Sequence, residues 1–353
     1  MSLRYNAAFT ALLAAALFGA TTPLAKTLLG TMSPFMVAGL FYLGSGVGLA
    51  VAIGFQRIRR SQKERANESR IQLAEVPWLL GAIAAGGIAG PVLLMFGLST
   101  TPAATSSLLL NLEGVFTAVI AWVVFRENVD AQIFIGMVAI VAGGVALSWQ
   151  PGAAGVSAGA LLVAAACVCW AIDNNLTRKV STNDAMVIAC LKGLIAGSVN
   201  LGIALVLGAH LPGLVRTAAA MFTGLGGYGV SLVLFVVALR NLGTARTGAY
   251  FSVAPIFGVT LSLILWPDLP GPLFWVAAAL MVLGVWLHIR ERHEHAHTHV
   301  LMDHNHRHRH DEHHQHSHDF KWDGEEPHTH PHRHVPVTHT HGHFPDIHHR
   351  HIH

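Results

Sequence analysis

Charge is scarce in this chain. Asp, Glu, Lys and Arg make up 12% of its residues, about half the share of an ordinary globular domain, against 52% hydrophobic residues. A body so poor in charge is not a soluble globular enzyme. Cysteine is scarcer still: Cys167, Cys169 and Cys190 all lie inside apolar segments and read as small buried hydrophobes rather than a disulfide framework. Cys167 and Cys169 stand about 200° apart on a helix, so they cannot chelate one ion together, although Cys190 on the next helix is placed to meet one of them. There is no Walker loop, no paired acids on a soluble stretch and no zinc-protease helix. Enzyme activity is therefore not expected.

Histidine is abundant, and it is unevenly placed. Of 25 histidines only His210 and His288 precede residue 293. The chain thus divides into an apolar body of about 290 residues and a histidine-rich tail. The net charge of +3 divides likewise, with +7 on residues 1–292 and −4 on the remainder. The basic balance consequently gives no support to nucleic-acid binding.

No formal charge occurs from Thr27 to Gln56, from Val76 to Leu112, or from Ala131 to Ile172. A bilayer-spanning helix needs about 20 mostly apolar residues. Proline, glycine and polar breaks divide the body into ten such segments, near 6–29, 33–55, 76–98, 102–125, 131–149, 156–177, 185–207, 217–239, 246–266 and 271–289. The first has the look of a signal peptide, yet nine further segments with their own topology follow, so it is read as retained. Loop cations set the orientation. Arg57, Arg59, Arg60, Lys63, Arg65, Arg70, Arg126, Arg178, Lys179, Arg240, Arg246, Arg290 and Arg292 fall on one side, whereas the other carries Arg216 in a loop and Lys26 near a helix end. Both termini are then cytoplasmic.

The two halves repeat. Leu17–Lys26 aligns with Cys169–Arg178, and NLEGVFTAVIAWVVFRE in the fourth segment aligns with SVAPIFGVTLSLILWPD in the ninth. Five spans per half is an odd number, so the halves must be inverted. The expected architecture is an all-α membrane protein: a five-helix repeat over 1–150, an inverted one over 151–290, and a disordered His-rich tail over 291–353. Pro23, Pro91 and Pro255 read as kinks, and runs such as GAIAAGGIAG as close-packing surfaces.

Glu113 lies near the middle of the fourth segment. A carboxylate at that depth costs at least roughly 2.5–3.5 kcal/mol on insertion scales and usually faces a cavity or a partner. It suits a group that exchanges a proton for a cation, against the simpler reading of a neutral acid hydrogen-bonded between helices. Asp173, Asn174 and Asn175 offer oxygen ligands for a cation pathway, or simply mark a helix end. Lys192 is assigned to the same cation pathway and has Asp173 as its natural ion-pair partner, in a state-locking or a static pair. Lys26 can snorkel to the interface without a further role.

The tail repeats His-X-His. Its clusters are His293, His295, His297 and His299; His304, His306, His308 and His310; His313, His314, His316 and His318; His328, His330, His332 and His334; His339, His341 and His343; and His348, His349, His351 and His353. In an extended chain residues i and i+2 share a side, so each His-X-His offers two imidazoles to one ion. Imidazole suits Zn, Cu, Ni and Co(II) far better than Mg or Ca, so the tail is expected to bind Ni, Co or Zn. The competing readings are a pH sensor and a low-complexity tail without function. With no hydrophobic run, the tail should lack fixed structure until metal orders it.

The stretches LEGVFTAVIAWVVFREN and CWAIDNNLTRK resemble the EamA-type members of the drug/metabolite transporter superfamily, with Gly114 where that pattern often has proline and Arg126 where it has glycine. The resemblance covers residues 6–290 and implies ten helices, alternating access and export of small solutes. With its tail, the whole chain resembles the nickel-exporting members of that superfamily. That implies efflux of nickel, with cobalt and zinc beside it, at a bacterial inner membrane, and metal resistance as the outcome; the expected mechanism is alternating access driven by proton antiport, with Glu113 exchanging a proton for the cation. Export of a small organic metabolite or drug, with the tail sensing or buffering metal, is the alternative; a membrane-anchored metal store that transports nothing is a third. The expected partners are the lipid bilayer and transition-metal ions; a homodimer is left open, and no cofactor is expected.

Overall fold

The computed structural model describes residues 2–59, 71–125, 131–149, 156–177, 180, 184–242, 247 and 250–289, with 294–298, 302–308, 328–334 and 338–342 in the tail. The chain forms two units, Met1–Glu291 and Arg292–His353.

The first unit is helical. Its helices are α1 (Ser2–Leu29) and α2 (Pro34–Arg59), followed by α3 (Leu73–Thr100). Next come α4 in two parts (Ala103–Leu109 and Leu112–Phe125), α5 (Ala131–Ser148), α6 (Ala158–Thr177) and α7 (Ala185–Val206). The last are α8 (Leu214–Leu242), α9 (Ala254–Leu265) and α10 (Pro272–Ile289). Among the described residues eight helices are long and apolar enough to cross a membrane, and Ala254–Leu265 and Pro272–Leu287 are shorter apolar helices. Helix suits this setting because it satisfies every backbone N–H and C=O internally.

Both surfaces of the unit are apolar. Phe41, Met36, Leu98, Leu109 and Met281 are fully buried, while Phe9, Val51, Ile135 and Val276 are more than half exposed. Outward-facing side chains of that kind suit lipid and would be a liability in water. Close approach replaces the hydrophobic drive that lipid does not supply. Gly46 on α2 meets Gly193 on α7, where a Cβ on either would overlap the backbone of the other.

Two helices are irregular in the same way. The π-helical segment Ile83–Ala89 interrupts α3, and Leu225–Val230 interrupts α8. Two others restart. α4 breaks at Leu110 and Asn111 before resuming at Leu112, and a turn at Ser252 and Val253 precedes the start of α9 at Ala254. Asn111 explains the first break: its side-chain amide donates to Leu108 O at 2.9 Å, taking a carbonyl out of the helical ladder. Continuous segments were expected at both places. Pro23 lies inside an uninterrupted α1, whereas Pro91 and Pro255 occupy the first turn after an irregularity, where the missing N–H costs nothing.

The tail unit departs from the expectation of no fixed structure. Strand β1 (Glu294–Thr298) pairs antiparallel with β4 (Thr338–Gly342), and β2 (Met302–His308) with β3 (His328–His334). His293, His299, His310, His313, His314, His316, His318, His343, His348, His349, His351 and His353 lie outside the described residues. So do the loop cations Arg60, Lys63, Arg65, Arg70, Arg126, Arg178, Lys179, Arg246, Arg290 and Arg292.

Candidate functional site

The restart of α4 makes Glu113 the second residue of a helical part, with its backbone N–H donating to Leu110 O at 3.1 Å. Thr117 follows one turn later on the same face. Facing them is α6. The Asn174 amide donates to Glu113 Oε1 at 2.9 Å and lies 3.4 Å from Thr117 Oγ1. A carboxylate, an amide and a hydroxyl thus gather between two helices, with Asn174 exposed and Glu113 half-buried. Glu113 is anchored here by a neutral donor, so its charge is not consumed by an ion pair with that partner.

Asp173, one residue earlier on α6, faces elsewhere and is buried. Lys192 Nζ on α7 donates to both of its carboxylate oxygens, at 2.6 and 2.7 Å, and Thr177 Oγ1 donates to Oδ1 at 2.8 Å. Lys192 also lies 3.3 Å from Thr177 Oγ1. The expected ion pair is therefore formed, and it occupies Asp173. Asn175 is buried and donates to Ala171 O at 2.8 Å and Thr117 O at 3.4 Å, which ties α6 to α4. Of the four residues assigned to a cation pathway, Asp173, Asn174, Asn175 and Lys192, only Asn174 is hydrogen-bonded to Glu113. The reason is helical geometry, since consecutive residues point about 100° apart.

The π-helical segment of α3 backs the ion pair. A Cβ at Gly86 would fall on the Asp173 carboxylate, so only glycine admits this approach. Its carbonyl, released from the regular ladder, accepts from Tyr42 Oη at 2.8 Å and Trp170 Nε1 at 2.9 Å. Asn200 Nδ2 on α7 donates to Gly87 O at 3.2 Å. Thr117, Tyr42, Trp170 and Asn200 were not singled out from the sequence. Thr117 was legible as the residue one turn from Glu113, and Asn200 as an amide within an apolar span.

Aromatic rings extend from the same place. Tyr228, in the π-helical segment of α8, lies 5.3 Å from Tyr42 and about 6 Å from Phe41 and Phe18, measured between ring centres. Phe251 adjoins Phe18 at 5.5 Å and Phe235 at 4.9 Å.

The cysteines do not meet. Cys167 Sγ donates to Leu109 O at 3.6 Å and Cys190 Sγ to Gly46 O at 3.4 Å, and all three thiols are free. Lys26 is likewise held, its Nζ reaching the carbonyls of Leu98, Ser99 and Thr101 at the end of α3. It lines a cavity of about 720 Å³ with Thr101, Trp149, Ser262, Trp266 and Asp268, to which Glu113, Asp173 and Lys192 do not contribute. Among the described residues of the apolar body no three His, Cys, Asp or Glu side chains gather closely enough to hold a metal ion. The Glu113 group can therefore offer a cation one carboxylate and neutral oxygens, which is a contact for a passing ion rather than a cage.

Known proteins share this sequence and fold. An uncharacterized transporter of Methanothermobacter thermautotrophicus is 27% identical over 282 residues, spanning 76% of this chain and 82% of its own. The uncharacterized transporter YyaM of Bacillus subtilis is 26% identical over 286 residues, 76% of this chain and 88% of its own. A probable terminal-alkyne amino-acid exporter of Streptantibioticus cattleyicolor is 26% identical over 247 residues, 69% of this chain and 80% of its own. A protein of known crystal structure superposes with a TM-score of 0.59 at 18% identity, over 80% of this chain and 95% of that one, which shows a common fold. The profile of the EamA-like transporter family matches twice, over residues 6–149 and 157–290. With both halves of its apolar body matched, the chain belongs to the EamA-like transporter family and is a multi-pass membrane transporter.

Proposed function

We propose that this transporter exports divalent transition-metal cations, nickel first and cobalt with it, across the bacterial inner membrane in exchange for protons. The observation that carries the reading is Glu113, held by the Asn174 amide at 2.9 Å beside the Thr117 hydroxyl, in a chain that also carries 23 tail histidines. A carboxylate bound by a neutral donor can give up a proton and accept a cation without breaking an ion pair first. Imidazoles in His-X-His spacing favour borderline transition metals over magnesium or calcium.

The transport cycle follows from two inverted five-helix halves that rock about a site between them. The double family match, the paired π-helical segments and the paired restarts of α4 and α9 support that arrangement. The loop cations support cytoplasmic termini. The Asp173–Lys192 pair would hold α6 against α7 in one state of the cycle. The tail, tethered to the end of the last span, would supply metal from the cytosolic side.

A second reading keeps the fold and changes the cargo to a small organic molecule with an ammonium group. The rings of Phe18, Phe41, Tyr42, Tyr228 and Phe251 favour it, because aromatic faces attract organic cations. The Streptantibioticus relative, a probable amino-acid exporter, is compatible with it.

Radioactive nickel retained by preloaded cells separates the two. Cells with the intact chain should lose nickel faster than empty cells, and Glu113→Gln, which keeps the hydrogen bond to Asn174 and removes the charge, should abolish the difference. Retention equal to that of empty cells, with normal protein levels in the membrane, would remove metal export and leave the organic cargo.

A further inference from the structure

The strand register of the tail joins histidines far apart in sequence. In the first ribbon His295 stands opposite His341 and His297 opposite His339. In the second, His304 stands opposite His332, His306 opposite His330 and His308 opposite His328. Each histidine of β1, β2 and β4 is paired with another histidine; in β3, His334 alone differs and faces Met302. The alternate positions are different in kind, with Glu294 opposite Gly342, Ala296 opposite Thr340, Asp303 opposite Arg333 and Arg307 opposite Thr329.

We propose that the tail closes into two antiparallel ribbons that form separate transition-metal sites, one at His295, His297, His339 and His341, the other along His304, His306, His308, His328, His330 and His332. The proposal rests on reading the tail as metal-binding and is independent of whether the body exports metal.

A single His-X-His supplies two imidazoles, whereas a tetrahedral shell takes four ligands. Residues i and i+2 occupy one face of a strand, and directly opposed residues in an antiparallel pair are about 4.5–5.5 Å apart at Cα. Two such dipeptides in register therefore place four histidine positions in one compact square, the number a shell requires. The second ribbon places six histidine positions on one face, as two overlapping squares that share the central pair His306 and His330, so it holds one complete shell and depends on that pair.

The pairing of histidine with histidine depends on this register. A slip of one residue would place each histidine opposite a non-histidine position, because the side-chain period is two. A two-stranded ribbon without an apolar face is marginal on its own. Closing a longer loop costs little extra, about 0.6 kcal/mol for each doubling of its length. Ligation from both strands can readily offset that cost, so the metal would hold this register and stabilise the closed form.

Ion counting on the full-length protein in lipid nanodiscs tests this, with Co²⁺ as probe because its visible spectrum reports coordination. His297→Ala and His339→Ala should each cost one tightly held ion, and the double variant should cost no more than either alone. His297→Ala with His306→Ala, drawn from different ribbons, should cost two ions. If the losses instead follow only the number of histidines removed, chelation is local in sequence and the ribbons are refuted. A second measurement reads the backbone directly. With Cys167, Cys169 and Cys190 changed to Ser, Ala296→Cys with Thr340→Cys should cross-link on oxidation, faster with metal bound, and Ala296→Cys with Thr329→Cys should not. Equal cross-linking of the two pairs would overturn the register. Absence of nickel efflux together with the expected ion counts would refute export alone.

Discussion

Asp173 and Lys192 show how far one residue's neighbours decide what it can do. Both charges are largely out of solvent, with side-chain exposures of 9% and 16%. Removing one partner of a buried pair leaves the other uncompensated, at a cost of about 3–5 kcal/mol, whereas replacing both with neutral residues is often nearly neutral. Lys192→Met should therefore lower the thermal midpoint of the purified protein sharply, and adding Asp173→Asn should restore most of it. An unchanged midpoint in Lys192→Met would mean that the pair contributes nothing to holding α6 and α7 together. Thr117 allows a finer test of the Glu113 group. Thr117→Val removes only a hydroxyl, worth about 1 kcal/mol when it contacts cargo, so half-saturating nickel should rise roughly five-fold with little change in stability. No rise would take Thr117 out of the pathway.

The helices were legible because lipid imposes a simple rule on sequence: about 20 residues without charge must be a helix. Apolar runs divided by proline, glycine and polar breaks thus marked the positions of α1 to α8 to within a few residues, and pairing Lys192 with Asp173 followed from the cost of a lone charge in such a run. The irregularities were not legible. A π-helical segment changes which carbonyl each N–H reaches and leaves composition untouched, so IAAGGIA in α3 reads as ordinary small-residue packing. The same limit concealed that Asp173 and Asn174 serve different neighbours, since a one-residue step on a helix becomes a contact only when the facing helix is known. Glycines divide in the same way. Gly46 lies against the backbone of α7, whereas a Cβ at Gly114 would meet nothing within 4 Å. Gly46→Val should cost at least about 1–3 kcal/mol through overpacking, because backbone cannot yield as a side chain does. Gly114→Ala should stabilise by about 0.5–1 kcal/mol through helix propensity. Thermal midpoints moving together, rather than in opposite directions, would contradict this account of α2–α7 packing.

At the scale of the whole molecule, two units with unlike physics share one chain. The body is apolar and carries Glu113 on α4, with Ala254 at the aligned position where α9 restarts. The Glu113 carboxylate of the first family-matched half therefore has no counterpart at the aligned position of the second. The tail is polar, negatively charged and tethered to the body, and a tethered binding segment acts through effective concentration, which is of millimolar order for a short flexible link. A supply role of that kind changes how much external metal is needed and leaves the cycle itself alone. A chain ending at Arg292 should then transport nickel at the full maximal rate once metal is abundant, while its half-saturating concentration rises roughly ten-fold or more, in proportion to the local enrichment lost. Initial rates over a nickel series in everted vesicles give both quantities. A fall in the maximal rate with an unchanged half-saturating concentration would instead make the tail part of the transport cycle, and identical curves would leave it as a store that does not feed the body.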